Sequence, residues 1–433
     1  MYIPKMVAII GLLCTSIAQD AVSQPKDGAV QTAAAEPVVA RQAMKLTLKK
    51  ELLDTIEAGD LLTVLTEREN DYVIRTFNGH KGAIAKDNVA KLAESVPVYD
   101  KLIAQRPGDG RLHTLRASAH WAAGDSEKAL ADYDQAIELG YTEAHAYSSR
   151  GMFHIALGNR ELAIADFSTA IEKGAADEVP LLNRASVYMG LQKYQLAIDD
   201  YSAAAKIRPD NPTLYIQRAI ARKLLGKLEA AIDDYDRAIA LAERDVSAWM
   251  GRGYLKFQLS RHAEAIEDFS HAIELAPQSA VAFNNRGYNY QLLGEEASAL
   301  SDYKRAVELA PKYLLAMQNK AWLLTTAENE ALRNPDEAVK VATAVCETTE
   351  YQNASDVTLL AAAYASAEEF ETAIGWQEKA IELAAESQKQ VAKEILQLYQ
   401  NKQPLDPSLL EGADSLLEAA DKDQPALPAS GKP

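Results

Sequence analysis

Disulfide chemistry is the first thing this sequence lacks. Only Cys14 and Cys346 are cysteines among 433 residues, and Cys14 lies at the very start. If the leader described below is removed, one thiol remains. That excludes an internal disulfide, a CxxC redox pair and a thiolate zinc site. Proline and glycine are scarce through the middle of the chain, where Ala, Leu, Glu, Asp and Lys dominate, a composition that favours helix. Positive charge is short: 45 Lys and Arg stand against 62 Asp and Glu, a formal net charge of −17. No basic block offsets this, so the sequence argues against nucleic acid as a partner and against docking on anionic lipid. Long apolar runs are missing too; none reaches the roughly 20 residues a bilayer span needs. Finally, no HExxH, GxSxG, GxxxxGK or glycine-rich dinucleotide loop is present. What remains is a globular composition, 48% hydrophobic and 25% charged, on a chain too long for one ordinary core.

The first residues, Met1 to Gln24, have the form of an export leader. Lys5 precedes an apolar run from Met6 to Leu13, and Ser16-Ile17-Ala18 offers small residues where a signal peptidase reads. Cleavage after Ala18 makes 1–18 a signal peptide and the chain exported, to a periplasm or to the outside of the cell. The other reading is an uncleaved leader that serves as a membrane anchor. Leu12-Leu13 before Cys14 argue against a lipoprotein signal. Residues 19–40 are rich in Ala, Gln and Ser without a period and are expected to be a linker. Residues 403–433 are expected to be a disordered tail.

Between residues 41 and 92 the pattern is short β runs separated by turn signals. Leu61-Leu62-Thr63-Val64-Leu65-Thr66 and Asp71-Tyr72-Val73-Ile74-Arg75-Thr76-Phe77 are followed by Asn78-Gly79 and by Lys81-Gly82-Ala83-Ile84-Ala85. The order of these motifs resembles the bacterial SH3-like domain, which implies a small all-β barrel. Tyr72 and Ala83 stand where that family often has Trp. Two roles stay open for the segment: spacer or folding cap, and ligand binding.

A 34-residue period then takes over. Ala-(Ile/Leu)-x-Asp-(Tyr/Phe) begins at Ala129, Ala163, Ala197, Ala231, Ala265 and Ala299, with no insertion between copies. Each copy carries an aromatic four residues on (Tyr133, Phe167, Tyr201, Tyr235, Phe269, Tyr303) and an alanine three further (Ala136 to Ala306). Twelve residues before each anchor stands Ala117, Gly151, Ala185, Ala219, Gly253 or Gly287. Small residues let two antiparallel helices approach, and the aromatic fills the gap to the next hairpin. A single hairpin buries too little alone, so copies must stack. These residues and this period resemble the tetratricopeptide repeat (TPR) family. The resemblance implies a mainly α chain: a TPR superhelical solenoid of about eight repeats spanning 93–387, preceded by the small SH3-like β domain at 41–92. Repeats are expected at 110–143, 144–177, 178–211, 212–245, 246–279, 280–313, 314–352 and 354–387. Residues 91–106 are read as the second helix of a degenerate first copy, and 388–402 as a cap helix.

The titratable residues form no catalytic constellation. His113 and His120 lie two turns apart on one helix, with no acidic or histidine partner in sequence to complete a metal site. Asp199-Asp200 and Asp233-Asp234 are the ordinary polar positions of a repeat. Cys346 reads as a small buried hydrophobe. No enzyme, cofactor or metal is expected. An Arg stands before each small crossing residue (Arg116, Arg150, Arg184, Arg218, Arg252, Arg286), and an Asp follows sixteen residues later (Asp132, Asp166, Asp200, Asp234, Asp268, Asp302). The readings are a structural pair in each hairpin or an arginine ladder for acidic ligands.

What the resemblance adds is a binding face, since TPR arrays take extended peptides or partner helices on the concave side lined by first helices. One residue past each crossing position the sequence places Tyr254, Tyr288 and Trp322, flanked by Phe257, Asn284, Asn285, Gln291 and Gln318. Rings bury area while amides pair with a backbone. The alternative is that the rings pack between repeats. The expected function is a non-enzymatic scaffold or adaptor for a protein or peptide, with self-association open to it through terminal repeats. The alternative is a cell-wall-associated structural protein that holds wall peptide or glycan through the β domain.

Overall fold

A computed structural model describes residues 36–48, 51–175, 177–406 and 409. The expected signal (1–18), the linker up to residue 35 and the tail from 410 onward lie outside the described residues. Among the described residues seven strands precede eighteen α-helices. The chain divides into two compact units, residues 1–209 and 210–433.

The strands are β1 (Val38–Ala40), β2 (Met44–Leu48), β3 (Glu51–Ile56), β4 (Leu61–Glu67), β5 (Asp71–Arg75), β6 (Lys81–Ala85) and β7 (Val89–Lys91). Five form a sheet in the order β6-β5-β4-β1-β7, and β2 and β3 form a separate antiparallel hairpin. Alternation turns Leu62, Val64, Tyr72, Ile74 and Ile84 inward, and the hairpin supplies Leu46 and Ile56 to the same core. Gly82 admits the hairpin, because a Cβ there would stand 2.4 Å from Leu46 Cδ1. One expectation is corrected here: the domain begins at Val38, inside the stretch read as linker. Val38, Val39 and Ala40 are buried between β4 and β7. Three residues are too few for a period of two to show in an alanine-rich surrounding.

The helices begin with α1 (Val96–Gln105), the partner-less second helix of a degenerate repeat. Three hairpins follow in the first unit: α2 (Gly110–Ala122) with α3 (Ser126–Glu138), α4 (Ala144–Ala156) with α5 (Arg160–Glu172), and α6 (Val179–Gly190) with α7 (Tyr194–Ile207). The second unit opens with α8 (Pro212–Leu224) and α9 (Leu228–Leu241), then α10 (Val246–Gln258) and α11 (His262–Leu275). Next come α12 (Ala280–Leu292) with α13 (Glu296–Leu309), and α14 (Leu314–Thr326) with α15 (Pro335–Thr348). The last hairpin is α16 (Ala354–Ser366) with α17 (Phe370–Leu383), and α18 (Lys389–Gln400) lies against it.

The six repeated aromatics are all buried, from Tyr133 to Tyr303. Burying one such ring contributes about 1.5–3 kcal/mol. Their counterparts on the first helix must be small: a Cβ on Gly151 would stand 2.8 Å from Phe167 Cε1, and one on Gly287 3.0 Å from Tyr303 Cε1. The turn between helices takes a left-handed residue. Gly124, Gly158, Gly226 and Gly294 provide it at φ between +75° and +86°. Gln192 and Ser260 occupy the same repeat position without glycine, both at φ +57°. First helices touch one another along the stack, α4 with α6 in one unit and α10, α12, α14 and α16 in succession in the other, which makes theirs the inner face of each unit.

The β domain is fastened to the array. Tyr99 and Leu102 of α1 share a core with Val39, Leu92 and Leu112, and Tyr99 Oη donates to the Gly59 carbonyl at 3.1 Å. At the other end Ile395 and Tyr399 of α18 cover Ala361, Ala365 and Ala373. Leu405, expected in the disordered tail, is buried in that same cluster. An isolated leucine between prolines shows no period, so only packing reveals it.

Candidate functional site

The face expected to bind lies on α10, α12 and α14. Because Gly253 and Gly287 are pressed against Phe269 and Tyr303, the next residue of each helix turns to the inner face. There the ring centroids of Tyr254 and Phe257 lie 6.0 Å apart, and Phe257 meets Tyr288 edge-on at 5.7 Å. Lys223 Nζ of α8 sits 4.9 Å from the centre of the Tyr254 ring, and His262 lies 6.0 Å from Phe257. Tyr254, Phe257 and Tyr288 are half-buried, so this is a continuous strip of aromatic edges with one side open. Burial raises the Tyr288 phenol above its ordinary value, which keeps it a neutral hydrogen-bond donor. Trp322 is half-buried as well; its ring packs beside Tyr288 against one terminal core cluster and also against the last one, with Tyr364 and Trp376. Ring contacts join Tyr254, Phe257 and Tyr288, and Trp322 shares a core cluster with Tyr288.

The amides differ from expectation. Asn284 and Asn285 are buried rather than flanking an open groove. Asn319 donates to Asn284 Oδ1 at 3.0 Å, Asn284 contacts Asn285 Oδ1 at 3.4 Å, and Asn289 donates to the Asn285 carbonyl at 2.8 Å. Gln291 accepts from Tyr303 at 2.8 Å, and Gln318 donates to Asp356 at 2.6 Å. These groups satisfy one another because a buried amide left without a partner costs about 1–3 kcal/mol. They fix the first helices against each other and hold the strip in place.

The arginine row is structural. Arg150 donates from Nε and Nη2 to Asp166 at 2.9 and 2.7 Å, and its Nη1 reaches back to Asp134 of the preceding hairpin at 2.9 Å. Arg116, Arg184, Arg252 and Arg286 repeat the arrangement, with Asp100, Ser168, Asp236 and Ser270 as the rearward acceptors. Each fork is filled by groups of the chain itself, so the reading as a ladder for acidic ligands is set aside. Asp100 also explains α1, which supplies the acceptor that the first complete repeat needs.

The tetratricopeptide repeat family profile matches residues 82–144, 114–180, 149–212 and 216–280, and a second profile of the same repeat matches 280–313. The chain belongs to the tetratricopeptide repeat family. No curated protein matches by sequence. Among solved structures, MamA protein is similar at 23% identity over 39% of this chain and 92% of its own, with a TM-score of 0.38. YrrB, described as a TPR protein with an unusual peptide-binding site, is 24% identical over 43% of this chain and 97% of its own, with a TM-score of 0.39. A tetratricopeptide repeat protein from Parabacteroides merdae is 18% identical over 70% of this chain and 98% of its own, with a TM-score of 0.41.

Within this TPR chain the titratable groups are engaged in packing. Asp132 does lie beside His113 Nδ1 at 3.3 Å and His120 Nε2 at 3.9 Å, an acidic partner that the sequence did not reveal. Both of its oxygens are already held by Arg116, at 2.6 and 2.9 Å, and the guanidinium repels a metal cation. No group of three metal-ligating side chains forms among the described residues. Cys346 is buried, donates to the Asp356 carbonyl at 3.2 Å, and has its thiol pushed up to about 12 by burial. No helix among the described residues is long and apolar enough to cross a membrane.

One residue was missed altogether. Phe77, read as the end of a strand, stands at the tip of the β5–β6 turn and is 94% exposed. The signal was present. Tyr72, Ile74 and Thr76 alternate inward, so an apolar residue at 77 falls on the outer face.

Proposed function

We propose that this TPR chain is an exported, non-catalytic interaction scaffold that binds an extended peptide or partner helix on the first-helix face of repeats five and six. The half-open strip Tyr254, Phe257 and Tyr288, with Lys223 over one end, carries the reading. Its rings pack against one another and against the repeat cores, so little ordering is needed on binding. The family's general use as a protein-interaction scaffold and the acidic balance of the chain support a protein partner over nucleic acid. The leader supports export.

The test is crosslinked capture from envelope and secreted fractions, with the wild-type chain and a Tyr254→Ala/Phe257→Ala/Tyr288→Ala variant of matched helical content as baits. A partner lost with the variant supports the reading. Equal recovery by both baits overturns it and moves recognition elsewhere on the chain.

A further inference from the structure

Phe77 is the most exposed large apolar side chain among the described residues. Its turn is nonetheless held firmly. Asp54 on β3 accepts from Thr76 Oγ1 at 2.6 Å and Asn78 Nδ2 at 3.0 Å, and lies 3.2 Å from His80 Nδ1. The Thr76 amide closes the loop on the His80 carbonyl at 2.9 Å. The Thr76 bond is the main reason the Asp54 carboxyl is lowered to about 2, so the clamp stays ionised across the physiological range. A ring presented on a rigid turn gives up little entropy when it is covered.

Beside that turn lies a cavity of about 1080 Å³, walled by the β domain on one side and by α2, α4 and α6 on the other. Leu115, Met152 and Pro180 give the helical wall an apolar floor. The volume lies just above the range of small-molecule pockets, roughly 300–1,000 Å³, and leaves room for a chain segment. The charged lining is uneven. Asp54, Asp60, Glu143 and Asp177 face only Arg111 and Lys173, and Lys173 Nζ sits 5.5 Å from the Tyr147 ring. The shared Tyr99 and Leu102 core keeps the two walls fixed against each other.

We propose that this cleft is a second binding site, for an extended peptide whose apolar side chain packs on Phe77 and whose flanking Lys or Arg face the four carboxylates. It lies in the first compact unit and is independent of the aromatic strip in the second. β-domain and helical walls both contribute to it, so neither part suffices alone.

Selection of random phage-displayed heptapeptides on the full-length chain tests this, followed by fluorescence anisotropy with the selected peptide. The expected winners carry Lys or Arg on both sides of an aromatic or aliphatic residue. Phe77→Ser should weaken the selected peptide by at least about tenfold, the size of a modest interface anchor. Glu143→Gln should weaken it further at low salt than at high salt. Both positions are exposed, so unchanged far-ultraviolet dichroism separates lost binding from lost folding. The Tyr254→Ala/Tyr288→Ala variant should bind the peptide as wild type does. No enrichment, acidic winners, or equal binding by Phe77→Ser would each overturn the proposal. Loss of binding in the Tyr254→Ala/Tyr288→Ala variant alone would overturn it too, and would assign the peptide to the other face.

Discussion

Arg252 donates from Nη1 to Asp236 at 2.6 Å, across the boundary between two hairpins, while its Nε and Nη2 hold Asp268 of its own hairpin at 3.0 and 2.6 Å. The two bonds differ in environment. Asp268 is buried, and its carboxylate is shared with Lys256 at 3.0 Å, whereas the Asp236 side chain is half exposed. Arg252→Met should therefore cost about 3 kcal/mol, because it leaves a buried carboxylate with one cation fewer. Asp236→Ala should cost less than about 1 kcal/mol. Urea denaturation followed by circular dichroism distinguishes them, and equal losses would contradict the burial argument.

Left-handed residues make a second comparison. Gln192, Ser260 and Glu368 hold positive φ in inter-helix turns, as glycine does in four other repeats. A residue with a Cβ pays about 1–2 kcal/mol in that conformation, partly offset by the greater unfolded-state freedom of glycine. Ser260→Gly and Gln192→Gly should each raise stability by about 0.5–1 kcal/mol, read as an upward shift in Tm.

Asp356 gives a pH dependence. It is buried and accepts the Gln318 amide on Oδ1, and desolvation, outweighing the Gln318 and Thr349 side chains, raises its carboxyl above the ordinary range. A raised folded-state value means that the native chain holds this proton more tightly than the unfolded chain does. Ionisation thus works against folding: the penalty is absent below the ordinary carboxylate range and grows as pH rises through it toward the folded value. Asp356→Asn keeps the acceptor for Gln318 and removes the charge. The Tm of the variant relative to wild type should climb as pH rises above about 4. A constant difference would show that the carboxyl titrates alike in the folded and the unfolded chain.

Thiol reactivity checks the junction of the seventh and eighth repeats. In a Cys14→Ser chain, the remaining Cys346 should react with Ellman's reagent far more slowly in the native state than in urea, since burial both hides it and keeps it protonated. Rapid labelling of the folded chain would mean that α15 and α16 separate readily.

The repeats were legible because their chemistry is local. An alanine, an aromatic four residues on and a small residue twelve before are demanded by one helix crossing, and the crossing recurs. Tyr254 and Tyr288 were legible for the same reason, as each is one step from a crossing residue, and Phe257 lies one helical turn past Tyr254. What the sequence could not show depends on distant segments meeting. Asn284 and Asn285 read as free amides until Asn319 and Asn289 are placed beside them. Trp322 meets Tyr364 and Trp376 of the last hairpin, a contact that repeat spacing does not announce. Asp132 joins His113 and His120 only through the hairpin fold. The cleft beside Phe77 needs a β turn and three helices from separate repeats. No pattern along the chain encodes that meeting.

The rearward reach of each arginine has a consequence for how such a chain changes length. Within each compact unit, Arg150, Arg184, Arg252 and Arg286 reach back to an acceptor, an aspartate or a serine, on the repeat before. A repeat duplicated or deleted in frame restores the same bond at the new junction without any compensating substitution. Copy number can therefore drift within a unit while these seams stay chemically complete, and the two specialised ends, the clamped β turn and the α18 cover, are carried along unaltered.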